Sequence, residues 1–502
     1  MSGNANLYAH FQDHFPADRE SQLLVTAQGR SVSYAEADQF SARIANSLLQ
    51  HGAAPGDRVT VQVHKSVENL FLYLACLRAG LVYHPLNTAY KASELAFFLG
   101  NAQPTLVICD SDALALIESV LPETGVKAVL TLNADGSGSL MEQAADAAAE
   151  AEVARCEGAD MAALLYSSGT TGQPKGIMLS HDNLRKNAET LVEAWGFSAS
   201  DRLLHMLPIY HVHGLFVGIS CVLMSGASMV WHSGFSDQAA VAALPDCTVM
   251  MGVPTFYTRL LANPDFGSGC CANMRLFVSG SAPLLAETFV EFKARTGHSI
   301  LERYGMTETG MNTSNPLRGE RRAGTVGPAL PGISLRVVDE AGGRLAHGET
   351  GNLQVQGPNV FPGYWQMPDK TAEDFTSDGF FNTGDKATID SDGYVTIVGR
   401  AKDMIITGGL NVYPKEIELV IDELAGVEES AVIGVADADF GEAVVAVIVA
   451  GGAAATADEV IAHCKAQLAN FKVPKRVEVI DALPRNAMGK VQKKLLRDRF
   501  AS

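Results

Sequence analysis

The stretch Tyr166-Ser-Ser-Gly-Thr-Thr-Gly-Gln-Pro-Lys175-Gly176 sets four aliphatic hydroxyls, Ser167, Ser168, Thr170 and Thr171, among glycines and beside Lys175. Glycines let backbone amides converge on an anion, hydroxyls donate to phosphate oxygens, and a lysine adds a point charge. This is the chemistry of a polyphosphate cradle. It is not the Walker A form, because Gly176 rather than Ser or Thr follows Lys175 and Pro174 removes an amide. A Gly/Ser/Thr surface turn is the plain alternative. Apolar runs at 161–165 and 177–179 argue instead for a loop held between two buried strands.

Four more stretches offer complementary chemistry. Ser279-Gly-Ser-Ala-Pro-Leu284 follows an apolar run and presents small residues, so backbone can approach a flat ligand closely. In Glu302-Arg-Tyr-Gly-Met-Thr-Glu-Thr309, Tyr304 could stack on adenine and Glu308 could hold Mg2+ beside phosphates. Thr383-Gly-Asp385 and Gly399-Arg400 could grip a ribose through carboxylate and guanidinium contacts. Pro484-Arg-Asn-Ala-Met-Gly-Lys490 offers a lysine on a glycine-preceded loop. Singly, each has a bland reading: Tyr304 as core, Asp385 and Asp403 as turn residues, Glu308 as surface. Their joint presence and order carry the case.

The elements around these motifs must form more than one core, since 502 residues exceed what one domain usually holds. Apolar content of 47% with 19% charged residues is the globular range. A net charge of −18 argues against non-specific nucleic-acid binding. The eight cysteines form no C-x-x-C pair and no metal spacing, so buried reduced thiols in a reducing compartment are expected. No secretory signal pattern and no apolar run of ~18 residues is visible, so the expectation is a cytoplasmic protein without a membrane span.

Ser33-Tyr-Ala-Glu36 reads as a capping box opening a helix to about Gly52, followed by a strand at 58–63, a helix near 69–80 and a strand at 105–109. This rhythm predicts parallel α/β layers, with a second βαβ-like series from 160 to about 315. The Ala/Glu-rich run 141–157 reads as an exposed helix. Residues 325–399 change to short strands between Gly/Pro/Asp turns, a small β-rich unit or barrel. A compact α/β unit follows, with a helix from Pro414, strands at 429–435 and 442–449, a helix at 457–469 and a strand at 477–480. The texture switches at Gly399-Arg-Ala-Lys-Asp403, where the domain boundary is expected.

In this order and spacing the five motifs resemble the adenylate-forming superfamily of acyl-CoA synthetases, firefly luciferases and peptide-synthetase adenylation domains. The resemblance spans essentially the whole chain. It implies an α/β fold: a large N-terminal domain (1–399) of two α/β subdomains plus a β-barrel, a hinge (400–402) and a small α+β C-terminal domain (403–502). It implies that Ser167, Ser168, Thr170, Thr171 and Lys175 hold the outer phosphates of ATP. Gly280, Ser281, Ala282 and Tyr304 would embrace adenine, and Asp385 and Arg400 the ribose. Thr307 would meet the α-phosphate, Glu308 would bind Mg2+, and Lys490 would be the adenylation lysine. Lys402 matches the hinge, and Gly408, Gly409 and Leu410 the loop lining the pantetheine path of coenzyme A. A charge at Lys490 that matters for catalysis also makes a lysine acetyltransferase a candidate partner.

The same resemblance places an acyl pocket at 210–213, 252–259, 279–281 and 306–311, with His211, His213, Arg259, Ser279, Arg303 and Met306 as candidates. A fatty or aryl acid calls for an apolar slot. Cationic residues suit a second carboxylate, which a guanidinium matches in charge and geometry. Val253-Pro-Thr-Phe-Tyr-Thr-Arg259 and Arg303-Tyr-Gly-Met-Thr-Glu-Thr-Gly-Met311, with Asn315-Pro-Leu317, resemble malonyl-CoA synthetases. The expectation is therefore malonate or methylmalonate, with Arg259 on the distal carboxylate and Arg303 as second candidate. Arg303 itself departs from the small residue that often precedes the tyrosine.

Overall fold

Tyr166 and Gly176, the two ends of the cradle loop, face each other as the last pair of an antiparallel ladder between the strands Met161–Tyr166 and Gly176–Ser180. The loop thus leaves and re-enters one sheet edge. In this computed structural model the described residues are 3–121, 125–166, 174–407, 410–437, 441–451, 455–468, 470–486 and 489–501. Ser167, Ser168, Thr170, Thr171, Gly408 and Gly409 lie outside them.

That sheet has six strands among the described residues, in the order Ala128–Thr131, Leu106–Cys109, Arg58–Gln62, Val82–Pro85, Met161–Tyr166 and Gly176–Ser180. All neighbours but the last pair run parallel. A second sheet has eight, from Gly310–Ser314 through Leu301–Met306, Leu276–Ser279, Val249–Gly252, Arg202–His205, Ser228–Trp231 and Gln22–Thr26 to Ser31–Ser33. It is parallel except for the outermost pair at each end. One apolar core is shared by the facing sides of both sheets and by the helix Val67–Arg78, which is buried on every side. A helix apolar all round belongs in such an interior. The outer faces of the sheets carry separate cores.

The β-rich segment forms a four-stranded antiparallel sheet, Ser334–Val338, Gly351–Gln356, Phe381–Ile389 and Val395–Arg400. After the tight turn Ala401–Asp403, a five-stranded mixed sheet begins at Ile405–Thr407, with cores of its own on both faces. The chain is thus a mixed α/β protein with a large N-terminal and a small C-terminal domain.

Two local expectations need correction. Ser33 does accept the amide of Glu36 and open the helix Tyr34–Gln50, but the Glu36 carboxylate pairs with Arg30 at 3.0 Å, so only half of the box forms. The helix expected over 141–157 spans only Ser139–Asp146. Beyond it, side chains of Arg43, Asn46 and Arg78 bind the carbonyls of Ala147, Ala148, Glu150 and Ala151. Those bonds hold the chain extended against its alanine-rich helical preference. No helix among the described residues is long and apolar enough to cross a membrane.

Candidate active site

The strands Leu301–Met306 and Gly310–Ser314 form a hairpin whose turn is Thr307-Glu308-Thr309. Its closeness depends on Gly305, where a Cβ would sit 2.1 Å from the Gly310 carbonyl oxygen. The turn buries Glu308, leaves Thr307 half-buried, and aims Tyr304 at the four-stranded sheet. There the Tyr304 hydroxyl donates to Asp385 Oδ2 at 2.5 Å, while Arg400 Nε lies 2.7 Å from Asp385 Oδ1. Asp385 and Arg400 are cross-strand partners in the ladder. Two motifs fifteen residues apart are therefore one site, joined by a strand register.

Lys175 arrives from the edge of the six-stranded sheet. Its Nζ donates to Tyr364 Oη at 3.1 Å, lies 4.2 Å above that ring, and sits 3.4 Å from Asp374 Oδ2. Tyr364 and Asp374 escaped sequence reasoning; the only trace of them was a Gly-Tyr-Trp run after Pro362 with no chemistry of its own. Burial raises the pKa of Glu308, opposed by the cations of Arg400, Lys175 and Lys490. Three positive groups from three parts of the chain thus act on one carboxylate.

Lys490 sits on a turn in which Asn486 donates its amide to the Lys490 carbonyl at 2.9 Å and accepts the Lys490 amide on Oδ1 at 3.0 Å. Its side chain meets the water of the cleft but is surrounded by protein. That surrounding desolvates it and lowers its pKa, with Arg400 adding to the effect and Asp385 and Glu308 opposing it. Lys402 lies in the turn Ala401–Asp403, its pKa lowered to about 8 mainly by burial. Leu410 opens the short strand Leu410–Val412.

On the other side of the hairpin lies a cluster of buried polar groups around one cation, Arg303. Arg303 is 3% exposed, and its Nε and Nη2 have no hydrogen-bond partner among the described residues. Its guanidinium lies flat on Gly280, where a Cβ would come within 2.4 Å of Cζ. Burial pulls its pKa down to about 10, still far above neutrality. His213 is buried, with Nδ1 3.4 Å from Ser281 Oγ and Nε2 unpartnered among the described residues. Burial and then Arg303 hold its pKa well below the usual range, so it stays neutral. Ser279 Oγ and His211 Nε2 are also buried without described partners. Ser281 adopts φ +71°, a left-handed strain that a serine rarely carries without cause. Ala282 and Met306 are half-buried at the rim, with Met306 Sδ 3.9 Å from the Tyr304 hydroxyl.

Arg259, the first candidate for the distal carboxylate, lies on the outer face of its helix. It is 57% exposed, 3.8 Å from Asp237 and stacked over Phe235. Pro254 opens the helix Pro254–Ala262, whose buried face is Tyr257, Leu260 and Leu261. At 100° per residue, position 259 then points outward.

Residues 11–365 match the AMP-binding enzyme family and residues 416–490 its C-terminal domain. The chain is 33% identical over 529 residues to a malonate–CoA ligase of Arabidopsis thaliana, covering 95% of this chain and 86% of that one. It is 36% identical over 483 residues to a feruloyl-CoA synthase of an Amycolatopsis species, covering 94% of each. The crystal structure of ATP-bound MatB from Rhodopseudomonas palustris matches with a TM-score of 0.97 at 52% identity, covering 100% of this chain and 99% of that one. With both of its domains matched and relatives of this identity aligned over nearly its whole length, the chain belongs to the AMP-binding enzyme family, as an adenylate-forming acid–thiol ligase whose substrates include ATP and CoA.

Proposed function

We propose that the acid is malonate, with methylmalonate as a second substrate, converted to the CoA thioester with release of AMP and pyrophosphate. The observation that carries this is Arg303: a buried guanidinium whose Nε and Nη2 have no hydrogen-bond partner among the described residues, with the adjacent Glu302 carboxyl held toward its neutral form by burial. A buried cation left alone is costly, and a substrate carboxylate removes that cost. His213 Nε2 and Ser279 Oγ add donors without adding charge.

One carboxylate of malonate attacks the α-phosphorus of ATP while the other is held by Arg303. The Pα–O bond to the leaving pyrophosphate breaks, and the acyl-adenylate forms. Charge gathers where carboxylate meets phosphate, and Lys490 supplies a fixed cation there; no protein nucleophile is needed. Ser167, Ser168, Thr170, Thr171 and Lys175 would hold the outer phosphates and Thr307 the α-phosphate. Gly280, Ser281, Ala282 and Tyr304 would enclose adenine, with Asp385 and Arg400 on the ribose. Glu308 fits Mg2+, because a buried carboxylate with raised proton affinity gains from a cation. Among the described residues no three metal-ligating side chains come together, so phosphates and water would complete its shell. When bound, Mg2+ would neutralise phosphate charge. In the second half-reaction, rotation of residues 403–502 about Lys402 would withdraw Lys490 and bring Gly408, Gly409 and Leu410 to the pantetheine path. The thiol then displaces AMP.

AMP release with ATP, Mg2+ and CoA across malonate, methylmalonate, acetate, a long fatty acid and benzoate tests the substrate. Malonate should far exceed acetate. Arg303→Ala should raise the malonate KM by roughly 10- to 100-fold, the worth of charge-assisted hydrogen bonds. Arg259→Ala should change it less than about twofold, as surface substitutions do. Preference for benzoate or the fatty acid, or an Arg259 effect exceeding that of Arg303, overturns the reading.

A further inference from the structure

Lys65 lies between the two large sheets, and it binds a histidine where a buried lysine usually binds an acid. Its Nζ donates to His205 Nδ1 at 2.8 Å and to the His205 carbonyl at 3.0 Å, and sits 4.2 Å from the centre of the Trp231 ring. The other face of the relay is equally defined. His205 stacks on Trp231, ring centres 4.8 Å apart, and its Nε2 lies 2.9 Å from the Gly214 carbonyl oxygen.

The donor inventory then fixes a tautomer. A carbonyl oxygen only accepts, so the His205 proton is on Nε2 and is donated to Gly214, which leaves the Nδ1 lone pair to accept from the Lys65 amine. Gly214 follows His213, and the segment His213–Ile219 is a π-helix, a widened turn frequent at functional sites. It wraps closely around the relay: a Cβ on Gly214 would sit 2.1 Å from the Pro208 carbonyl oxygen, and one on Gly218 3.2 Å from the His205 ring. His213, at the start of this turn, is the imidazole that faces Ser281 and Arg303.

We propose that Lys65 is a positioning residue of the acyl pocket, acting through His205 and the Gly214 carbonyl to aim His213 at the substrate's distal carboxylate, a role that rests on the diacid reading above. Lys65 comes from the loop before the helix Val67–Arg78, and His205 ends a strand of the eight-stranded sheet. The relay therefore also registers one subdomain against the other at the pocket.

Steady-state kinetics with malonate and acetate on Lys65→Met, His205→Leu, the double variant and His205→Gln test it. Lys65→Met should raise the malonate KM roughly tenfold, about one hydrogen bond's worth. Its kcat, its ATP KM and its acetate kcat/KM should stay within about twofold. In the His205→Leu background Lys65→Met should add nothing, because the lysine acts through that ring. His205→Gln should retain a low malonate KM, since its amide can accept from Lys65 and donate to Gly214. Equal losses on malonate and acetate, or additive effects in the double variant, overturn the relay. If Lys65→Met fails to fold, the His205 pair decides: equal malonate-to-acetate ratios in His205→Gln and His205→Leu overturn it. Nitrogen chemical shifts of His205 read the relay with no substrate present. An Nδ1 resonance that moves in Lys65→Met as its hydrogen-bond donor is lost, with Nε2–H kept by Gly214, supports it, and an Nδ1 resonance that stays unchanged overturns it. A wild-type enzyme with no preference for malonate would overturn the diacid reading alone, with these shifts still deciding the Lys65–His205 link.

Discussion

Arg303 and Arg259 carry the same charge, and both stood near the pocket in the sequence. What separates them is water. Arg259 keeps its hydration and a loose contact with Asp237, so its charge is screened. Arg303 has lost that hydration, so its charge is directed at whatever enters the pocket. Its neighbour Glu302 shows the same physics with opposite sign. Burial raises the Glu302 pKa from 4.5 to about 7, against the pull of Lys415 and Arg303, while Oε1 accepts the Leu284 amide at 3.0 Å. The folded state thus favours the protonated acid. Its contribution to stability is full below pH 4.5 and is lost as pH rises to about 7. Glu302→Gln keeps the bond to Leu284 without the charge. Melting curves should place this variant above wild type at pH 8 and converge with it toward pH 4.5; parallel curves would show that Glu302 is ionised in the fold throughout.

At the scale of elements, the pocket depends on how closely a loop approaches a strand. The turn after Leu276–Ser279 places Gly280 against the Arg303 guanidinium with no room for a methyl group. Gly280→Ala must push that group aside by about 1 Å, a displacement that can cost up to roughly a hundredfold where geometry decides. Malonate kcat/KM should fall more than acetate kcat/KM. An unchanged ratio would mean that the guanidinium does not bind the acid. Element identity was largely legible in the sequence: strands 161–166 and 176–180 and the helix Val67–Arg78 follow from apolar runs that need burial. The shortened helix at Ser139–Asp146 was not legible, because the side chains that capture its following carbonyls come from residues about 70 to 105 positions away.

Across the whole molecule, Lys490, the cation proposed for the first half-reaction, belongs to the small domain, while its field acts on Glu308, Asp385 and His211 of the large one. Deleting that charge should therefore affect one step and spare the other. Lys490→Ala should slow adenylation, read by pyrophosphate exchange, by roughly 100- to 1,000-fold, as removing one preorganised donor does. Thioester formation from preformed acyl-adenylate should be largely retained. Equal loss in both half-reactions would contradict domain alternation about Lys402. Acetylation of Lys490 removes the same charge and should have the same split effect.

The sequence by itself pointed to the chemistry that short motifs can hold: the proposed cradle with Lys175, the Tyr304–Glu308 turn, Asp385 and Arg400 as the proposed ribose pair, and Lys490. A nucleotide makes the same demands in any such protein, and a few adjacent residues meet them. Only the tertiary structure brought together the residues of the proposed acyl pocket, because His213, Gly280 and Arg303 meet there from separate strands and loops. Which arginine lost its water depended on the phase of one helix and the absence of one Cβ. Neither can be read from residue type.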